Sequence, residues 1–428
     1  MNIHNLINKP IHCQCGKDHF CAINALEIGK NALKKLPKVL ENYRHILLVA
    51  DNNTYSICGE TVRRLLDGCI ANRFVFETEG HLVPDEKAIA AIEAQLDDET
   101  DFILGIGSGV INDLCKYVSY FSGLKCGIVA TAPSMDGFAS SGAAMILDGM
   151  KVTKTTHSPD VIIGDTEILK NAPIEMIRSG YADIIGKYSA LNDWKLSHLI
   201  NGEHLCPFIY DIVKNATDEI RDLAKQIAAA EESAIAKLME VLVLVGACLT
   251  LHTTTRPGSG SEHHFSHYFE ITGLIDKVPY FLHGTDVGYA TVVTAAMRQR
   301  ILQVQEPSFE TVSRETREKC YRAVYKNFAD EVIKLQDEAG RYEKDISETY
   351  RKNWPQVLEI LAECPKPEEI WQMMADVGMQ WPAFEQMYGE EKIRRGLWLA
   401  KDLKDRYSVL WLYDQMFFTE SEGRKIYG

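Results

Sequence analysis

What this sequence of 428 residues lacks first is an uninterrupted apolar run of membrane-spanning length. Its most apolar stretch, residues 238–251, is broken by Glu240 and falls short of the roughly 20 residues that cross a bilayer, so it reads as a buried helix. The first ten residues, MNIHNLINKP, lack the basic-then-apolar pattern of a secretory signal, and the expected compartment is the cytoplasm. A basic excess is missing as well. The net charge of -14 argues against a nucleic-acid partner, whose phosphates are met by clustered Lys and Arg, while leaving room for a small basic pocket. Eleven cysteines, an odd and scattered number, make no disulfide framework and suit reduced thiols. Internal repeats and low-complexity linkers are also absent, which excludes solenoids and long disordered arms.

The one local cysteine cluster is Cys13, Cys15, His19 and Cys21. Zinc ligation is one reading. The Cys-x-Cys spacing is not the usual two-residue interval and no second ligand pair follows at a finger-like distance, so ordinary packing or an edge strand is the reading taken.

What is present is core-forming material: 46% of residues are hydrophobic, enough for two or more domains. Residues 23–42 carry Leu26, Ile28, Leu33, Leu36 and Leu40 near helical spacing and predict a helix. Strands are expected at His45 to Asp51, Arg73 to Glu77, Asp101 to Gly105, Cys126 to Ala130 and Val161 to Asp165, with helices at Glu60 to Asp67 and Asp85 to Leu96. That rhythm implies a mostly parallel, Rossmann-like sheet covered on both faces. In AAMILDGMKVTKT, an Asp-Gly pair between alternating apolar runs predicts a hairpin. Beyond about residue 170 helical patterns dominate, notably at Asp218 to Thr253 and across most of 308–419. The expected architecture is an α/β dinucleotide-binding domain over 1–170 and an all-helical metal- and substrate-binding domain over 171–428, with the active site in the cleft between them.

Directly after the strand DFILG comes Gly105-Ile-Gly-Ser-Gly109 and then a helix-like run. Glycines let backbone approach a pyrophosphate, and a following helix N-terminus offers N–H groups and a positive dipole end. A plain strand-to-helix turn favours glycine too, and the six-residue glycine fingerprint is missing. Asp51 closes the strand HILLVA; it either accepts a ribose 2′-hydroxyl, which favours NAD over NADP, or simply opens the DNN turn.

Segment 256–288 crowds His263, His264 and His267 together and adds His283 beside Gly284. Neutral imidazole is the commonest metal ligand, and such density is seldom core packing. A catalytic metal site usually has a third protein ligand. Asp183, embedded among apolar residues in SGYADIIGKYSALNDW, is the candidate, with helix capping as the alternative.

Together these pieces resemble the sn-glycerol-1-phosphate dehydrogenase family, and its bacterial branch, within the wider group of iron-containing alcohol dehydrogenases, glycerol dehydrogenases and dehydroquinate synthases. The motifs that carry the resemblance are CQCGKDH, VADNNTY, GIGSGVINDLCK, TAPSMDGFASSGAAM, PDVIIGDTEIL, SGYADIIGKYSALNDW, RPGSGSEHHFSHYFE and LHGTDVG, in order over residues 13 to about 290. The resemblance implies metal ligation by Asp183, His263 and His283, with His263 chosen over His264 because His263 and His267 fit the family's His-x-x-x-His. His267 then lines or supports the substrate site. It further implies cofactor contacts at Asp51, Gly107, Ser108, Gly109, Thr131 and Ser134, and places Asp136 beside the substrate hydroxyls as a catalytic and binding residue. Dehydroquinate synthases use glutamate where this chain has Asp183.

The implied reaction is reversible, metal-dependent reduction of dihydroxyacetone phosphate to sn-glycerol 1-phosphate with NADH or NADPH, a step of glycerophospholipid metabolism. Lys187, one helical turn from Asp183, and Arg256 are the candidate phosphate cations, each with a structural salt bridge as its alternative. The rivals are a dehydrogenase of an unphosphorylated polyol such as glycerol, a dehydroquinate synthase-like lyase, and a binding protein without turnover. The ligand set admits zinc, nickel, iron or manganese, with zinc or nickel expected. A homodimer or higher homo-oligomer is expected, and Trp371, Trp381, Trp398 and Trp411 can pack internally or across an interface.

Overall fold

Six parallel strands, five closed by Asp, Gly or Ala and the edge strand by Phe76, form one open sheet in the order Ala25–Gly29, Val161–Asp165, Lys125–Ala130, Phe102–Gly107, Ile46–Asp51, Ile70–Phe76. The protein is seen in a computed structural model that describes residues 3–80, 82–147 and 150–428. The strands, in chain order, are β1 (Ile11–His12), β2 (Asp18–His19), β3 (Ala25–Gly29), β4 (Ile46–Asp51), β5 (Ile70–Phe76), β6 (Phe102–Gly107), β7 (Lys125–Ala130), β8 (Gly142–Leu147), β9 (Met150–Thr155) and β10 (Val161–Asp165). Strands β6 and β10 are buried at every position, and β4 and β7 at all but one. Such continuous burial is what a sheet covered on both faces demands, and it explains why these strands read as unbroken apolar runs. β8 and β9 pair as an antiparallel hairpin; the predicted Asp-Gly turn at 148–149 lies outside the described residues.

One expectation fails. Residues 23–42 are not a single helix: 25–29 form strand β3, paired in parallel with β10, and only a short helical turn at Ala32–Lys35 and the helix Leu36–Val39 follow. Leu26 and Ile28 fit either period, and pairing with a strand 136 positions later, Ile162 opposite Leu26, decides between them.

Sheet order fixes where ligands are expected. From β4 the chain passes through the helix Asn52–Leu65 to β5 on one side, then through Glu86–Glu93 to β6 on the other side of β4. That reversal makes the carboxyl ends of β4 and β6 a topological switch point, the usual binding crevice of an open α/β sheet. Asp51 ends β4 and Gly107 ends β6, with Ala50 and Ile106 register partners just before them.

Contacts divide the chain into two compact units, Met1–Ile184 with Asp211–Thr255, and Ile185–Tyr210 with Arg256–Gly428. The first contains the sheet and the apolar helix Glu232–His252. That helix is the one element among the described residues long and apolar enough to cross a membrane, and 78% of its most apolar window is buried within the protein. The second unit is helical throughout its described secondary structure. Its interior centres on a buried ion pair, Asp193 with Arg298 at 2.7 Å.

Candidate active site

In the first unit the turn after β6 delivers Ser108 as the residue preceding the helix Gly109–Phe121, and the Ser108 side chain does not cap that helix. The first backbone N–H groups of the helix are therefore presented as an anion-binding end. Ser108 and Ser134 hydroxyls hydrogen-bond to each other, and Thr131 N–H donates to Gly107 O at 2.9 Å, so the β6 and β7 turns are tied together. Gly107 is required for packing as well: a Cβ there would lie 2.7 Å from the Ile111 side chain. Asp51 caps the helix Asn52–Leu65, accepting Thr54 N–H at 2.8 Å. The turn-opening role foreseen for Asp51 is thus filled by Oδ1.

The loop 131–140 is held from two sides. The helix Ile174–Ile185 lies directly on it, since a Cβ on Gly180 would fall 1.9 Å from Pro133 O and Ser179 Oγ donates to Ser134 O at 3.0 Å. Asp183, fully buried near the end of that helix and so not an N-cap, accepts Asp136 N–H at 2.9 Å. Asp136 is also buried. From the other side Lys116, fully buried, reaches Gly137 O at 3.1 Å, also donates to Gly142 O, and pairs with Asp113 at 2.8 Å. Sequence reading missed Lys116 because it is the lone cation of an apolar helix face and its carbonyl partners lie more than twenty residues away.

In the second unit the helix Ser261–Asp276 and the start of His283–Leu302 bring three imidazoles together: ring centres of His263 and His283 are 5.0 Å apart, His267 and His283 5.7 Å, and His263 and His267 6.4 Å. His263 Nδ1 is 2.8 Å from Oε1 of the fully buried Glu262, and His283 Nδ1 is 3.0 Å from Ser266 Oγ. An Nδ1–H held by a carboxylate or hydroxyl fixes the tautomer that presents Nε2 as a ligand atom. His264 differs. It is fully buried, neither ring nitrogen has a hydrogen-bond partner among the described residues, and burial followed by Lys404, Arg406 and Arg256 holds its pKa well below the ordinary histidine range. The adjacent histidines thus separate, His263 into the imidazole cluster and His264 into the core.

Both predicted phosphate cations have partners within the second unit. Lys187, fully buried, donates to Gly258 O at 3.0 Å; Arg256 donates to Asp193 O at 3.3 Å and pairs with Glu203 at 2.9 Å, the structural salt bridge that was its alternative. A third cation, Arg406, was missed, because nothing in RYSVL ties it to residue 259 across the chain. It donates to Ser259 O at 2.9 Å. Desolvation and then Arg256 lower its pKa to about 10, so it stays charged at neutral pH.

Comparison with known proteins adds relatives. The family model for iron-containing alcohol dehydrogenase matches residues 27–173. The chain is 36% identical over 292 residues to glycerol-1-phosphate dehydrogenase [NAD(P)+] of Halalkalibacterium halodurans, covering 67% of this chain and 73% of that one. It is 28% identical over 426 residues to the protein of the same name from Geobacillus stearothermophilus, covering 98% and 99%. Among solved structures, maleylacetate reductase from Agrobacterium tumefaciens matches with a TM-score of 0.60 at 12% identity over 96% of both chains, a likeness of fold.

Proposed function

Since this chain belongs to the glycerol-1-phosphate dehydrogenase family of oxidoreductases, within the iron-containing alcohol dehydrogenase group, we propose that it reversibly reduces dihydroxyacetone phosphate to sn-glycerol 1-phosphate. The reading includes NADH or NADPH as hydride donor and one divalent metal, zinc or nickel, held by Asp183, His263 and His283. The paired imidazoles of His263 and His283, each with Nδ1 engaged and their rings 5.0 Å apart, are the observation that carries it. Two anchored imidazoles and a buried carboxylate form a donor set that suits such an ion.

Held by Asp183, His263 and His283, the metal would supply Lewis acidity toward the ketone oxygen, and the bound nicotinamide would supply the hydride. The protein's own residues do the rest. The helix N-terminus at Gly109, with Gly107 and Ser108, binds the pyrophosphate of the dinucleotide, and Thr131 and Ser134 line its approach to the reacting carbon. Asp51 accepts from the adenosine ribose through the carboxylate oxygen that does not cap its helix, which favours NAD. Asp136 orients Asp183 through its backbone N–H and meets the substrate hydroxyls with its carboxylate. His267 lines the same site. Lys187, Arg256 and Arg406 supply positive charge for the substrate phosphate, two of them with planar forks suited to it.

The test is NADH oxidation by chelated enzyme with one metal restored at a time, offered dihydroxyacetone phosphate or dihydroxyacetone. Steady NADH consumption with the phosphorylated ketone alone is expected. Preference for the unphosphorylated ketone would move the chain to the polyol dehydrogenases, and no net NADH consumption would favour a lyase that recycles its NAD. Replacing Lys187 and Arg406 with Met should raise KM for the phosphate ester by at least about 10–100-fold, the worth of one charge-assisted hydrogen bond, and leave the Kd for NADH unchanged.

A further inference from the structure

The cysteine cluster near the N-terminus, expected to be packing or edge strand, is shaped as a hairpin. β1 and β2 pair antiparallel, with Ile11 opposite His19 and His12 opposite Asp18. The connection turns at Gly16, whose φ of +86° is left-handed and whose N–H donates to Cys13 O at 3.1 Å. This turn folds Cys13 and Cys15 back toward His19. The sulfurs of the two cysteines and the imidazole of His19 offer ligand atoms that all lie within 4.8 Å of one another. Neither cysteine takes part in a disulfide.

Two distances say more than proximity. Cys15 Sγ lies 3.4 Å from His19 Nε2. A tetrahedral zinc ion, with bonds of about 2.3 Å to sulfur and about 2.0 Å to nitrogen, holds such a pair of ligand atoms at about 3.5 Å. At its other nitrogen, His19 Nδ1 donates to Leu251 O at 2.7 Å, and the imidazole is buried. A backbone carbonyl on one nitrogen is the outer-shell contact that fixes the tautomer of a metal-binding histidine and turns the second nitrogen toward the ion. Leu251 lies in the apolar helix Glu232–His252, so the hairpin is tied at this point to the core of its unit. The short Cys-x-Cys interval that counted against a finger-type site is offset by the glycine turn, which brings both thiols to one side.

We propose that this hairpin is a second metal site, binding one zinc ion through Cys13, Cys15 and His19 Nε2, with a structural role: it fastens the hairpin to the first unit. The thiol-rich donor set favours zinc over magnesium or calcium and is distinct in kind from the oxygen and nitrogen donors proposed for the catalytic metal. Binding releases the two thiol protons and contributes folding free energy to a segment whose strands are only two residues each.

The experiment separates the two sites by their donor atoms. The full chain is loaded with cobalt in place of its metals, and thiolate-to-cobalt charge-transfer absorption is recorded in the near ultraviolet. An Asp-His-His site has no thiolate and gives none. Intensity for two or more thiolates per cobalt is expected in the parent and in His263→Ala, which removes a proposed catalytic ligand. It should vanish in Cys13→Ser with Cys15→Ser, while Cys69→Ser keeps it. Metal analysis of zinc-grown protein should show a loss of about one equivalent per chain in the double variant and in His19→Gln. Absence of the absorption in the parent overturns the proposal, even if the variants fail to fold. So does freshly isolated, metal-free hairpin carrying a Cys13–Cys15 disulfide by mass. Failure of the catalytic reading would instead show as an inactive parent that retains the thiolate band.

Discussion

At the scale of single residues, Glu262 is the position whose chemistry is most exposed to test. Its carboxylate is fully buried and is shared between Gly260 N–H at 2.7 Å and His263 Nδ1 at 2.8 Å. An amide in its place keeps the size and can still accept, but loses the charge that makes the imidazole a better donor. If His263 ligates the metal proposed above, Glu262→Gln weakens its affinity about 10–100-fold, the usual effect of losing an outer-shell partner. Chelator competition measures it, and unchanged affinity would remove Glu262 from the metal's environment. The same residue explains what could be read in advance and what could not. Adjacent residues on a helix point about 100° apart, so only one of His263 and His264 can face the cluster, yet nothing in EHHFSH says which. Family pattern chose His263; the contact to Glu262 and the burial of His264 give the physical reason.

At the scale of elements, a close approach shapes the loop beside Asp183 in the first unit, and a buried ion cluster joins two elements of the second. The helix Ile174–Ile185 rests on the loop 131–134 at Gly180, where an added methyl would meet the Pro133 carbonyl. Gly180→Ala must push helix and loop apart, displacing Asp183 from the Asp136 N–H. A loss of about 1–3 kcal/mol in stability is expected from overpacking, with kcat/KM down at least tenfold; normal turnover with a lowered Tm would show that the site tolerates the shift. In the second unit, Lys401 lies between Asp402 and Asp414, at 2.9 Å from each, joining the turn Ala400–Leu403 to the helix Val409–Phe417. Burial raises the Asp414 pKa from 3.8 to about 6, against the opposing pull of Lys401. A carboxyl whose folded pKa exceeds its unfolded one contributes stability fully below pH 4 and loses it as pH rises through 6. Asp414→Asn lacks that slope, so relative to the parent it should gain stability between pH 4 and 7, read from denaturant midpoints at each pH. A constant difference across that range would refute the assignment. Sequence reading found the strands that are buried on both faces and missed β3. Long apolar runs announce themselves, whereas a five-residue strand with Leu26 as its one buried residue is defined only by the neighbour it pairs with.

At the scale of the whole molecule, the chain leaves the first unit after residue 184, returns at 211 and leaves again after 255. No composition shift marks residues 184, 210 or 255, which is why a change of character near residue 170 was the visible signal. What holds the second unit together is equally silent in the sequence. Asp193 Oδ1 receives Arg298 at 2.7 Å and Val409 N–H at 2.9 Å, and its Oδ2 receives Ser261 N–H at 2.6 Å. One buried carboxylate thus joins segments 68, 105 and 216 positions away. Arg298 in turn donates to Asn192 Oδ1 at 2.8 Å and to the carbonyls of Ser189 and Thr294, each at 3.2 Å. Removing one partner of such a pair strands the other charge in the interior, at a cost of about 3–5 kcal/mol. All six tryptophans, Trp194, Trp354, Trp371, Trp381, Trp398 and Trp411, belong to this unit, so tryptophan fluorescence reports on it alone, whereas far-ultraviolet circular dichroism reports on both. Asp193→Ala should therefore lower the fluorescence midpoint strongly and split it from the later part of the circular dichroism transition, a departure from two-state unfolding. Asp193→Leu with Arg298→Met, which removes both charges, should recover part of the loss. Coincident transitions in Asp193→Ala would mean that the two units unfold as one, and an undiminished loss in the double variant would mean that the backbone N–H groups of Ser261 and Val409, rather than the Arg298 charge, depend on Asp193.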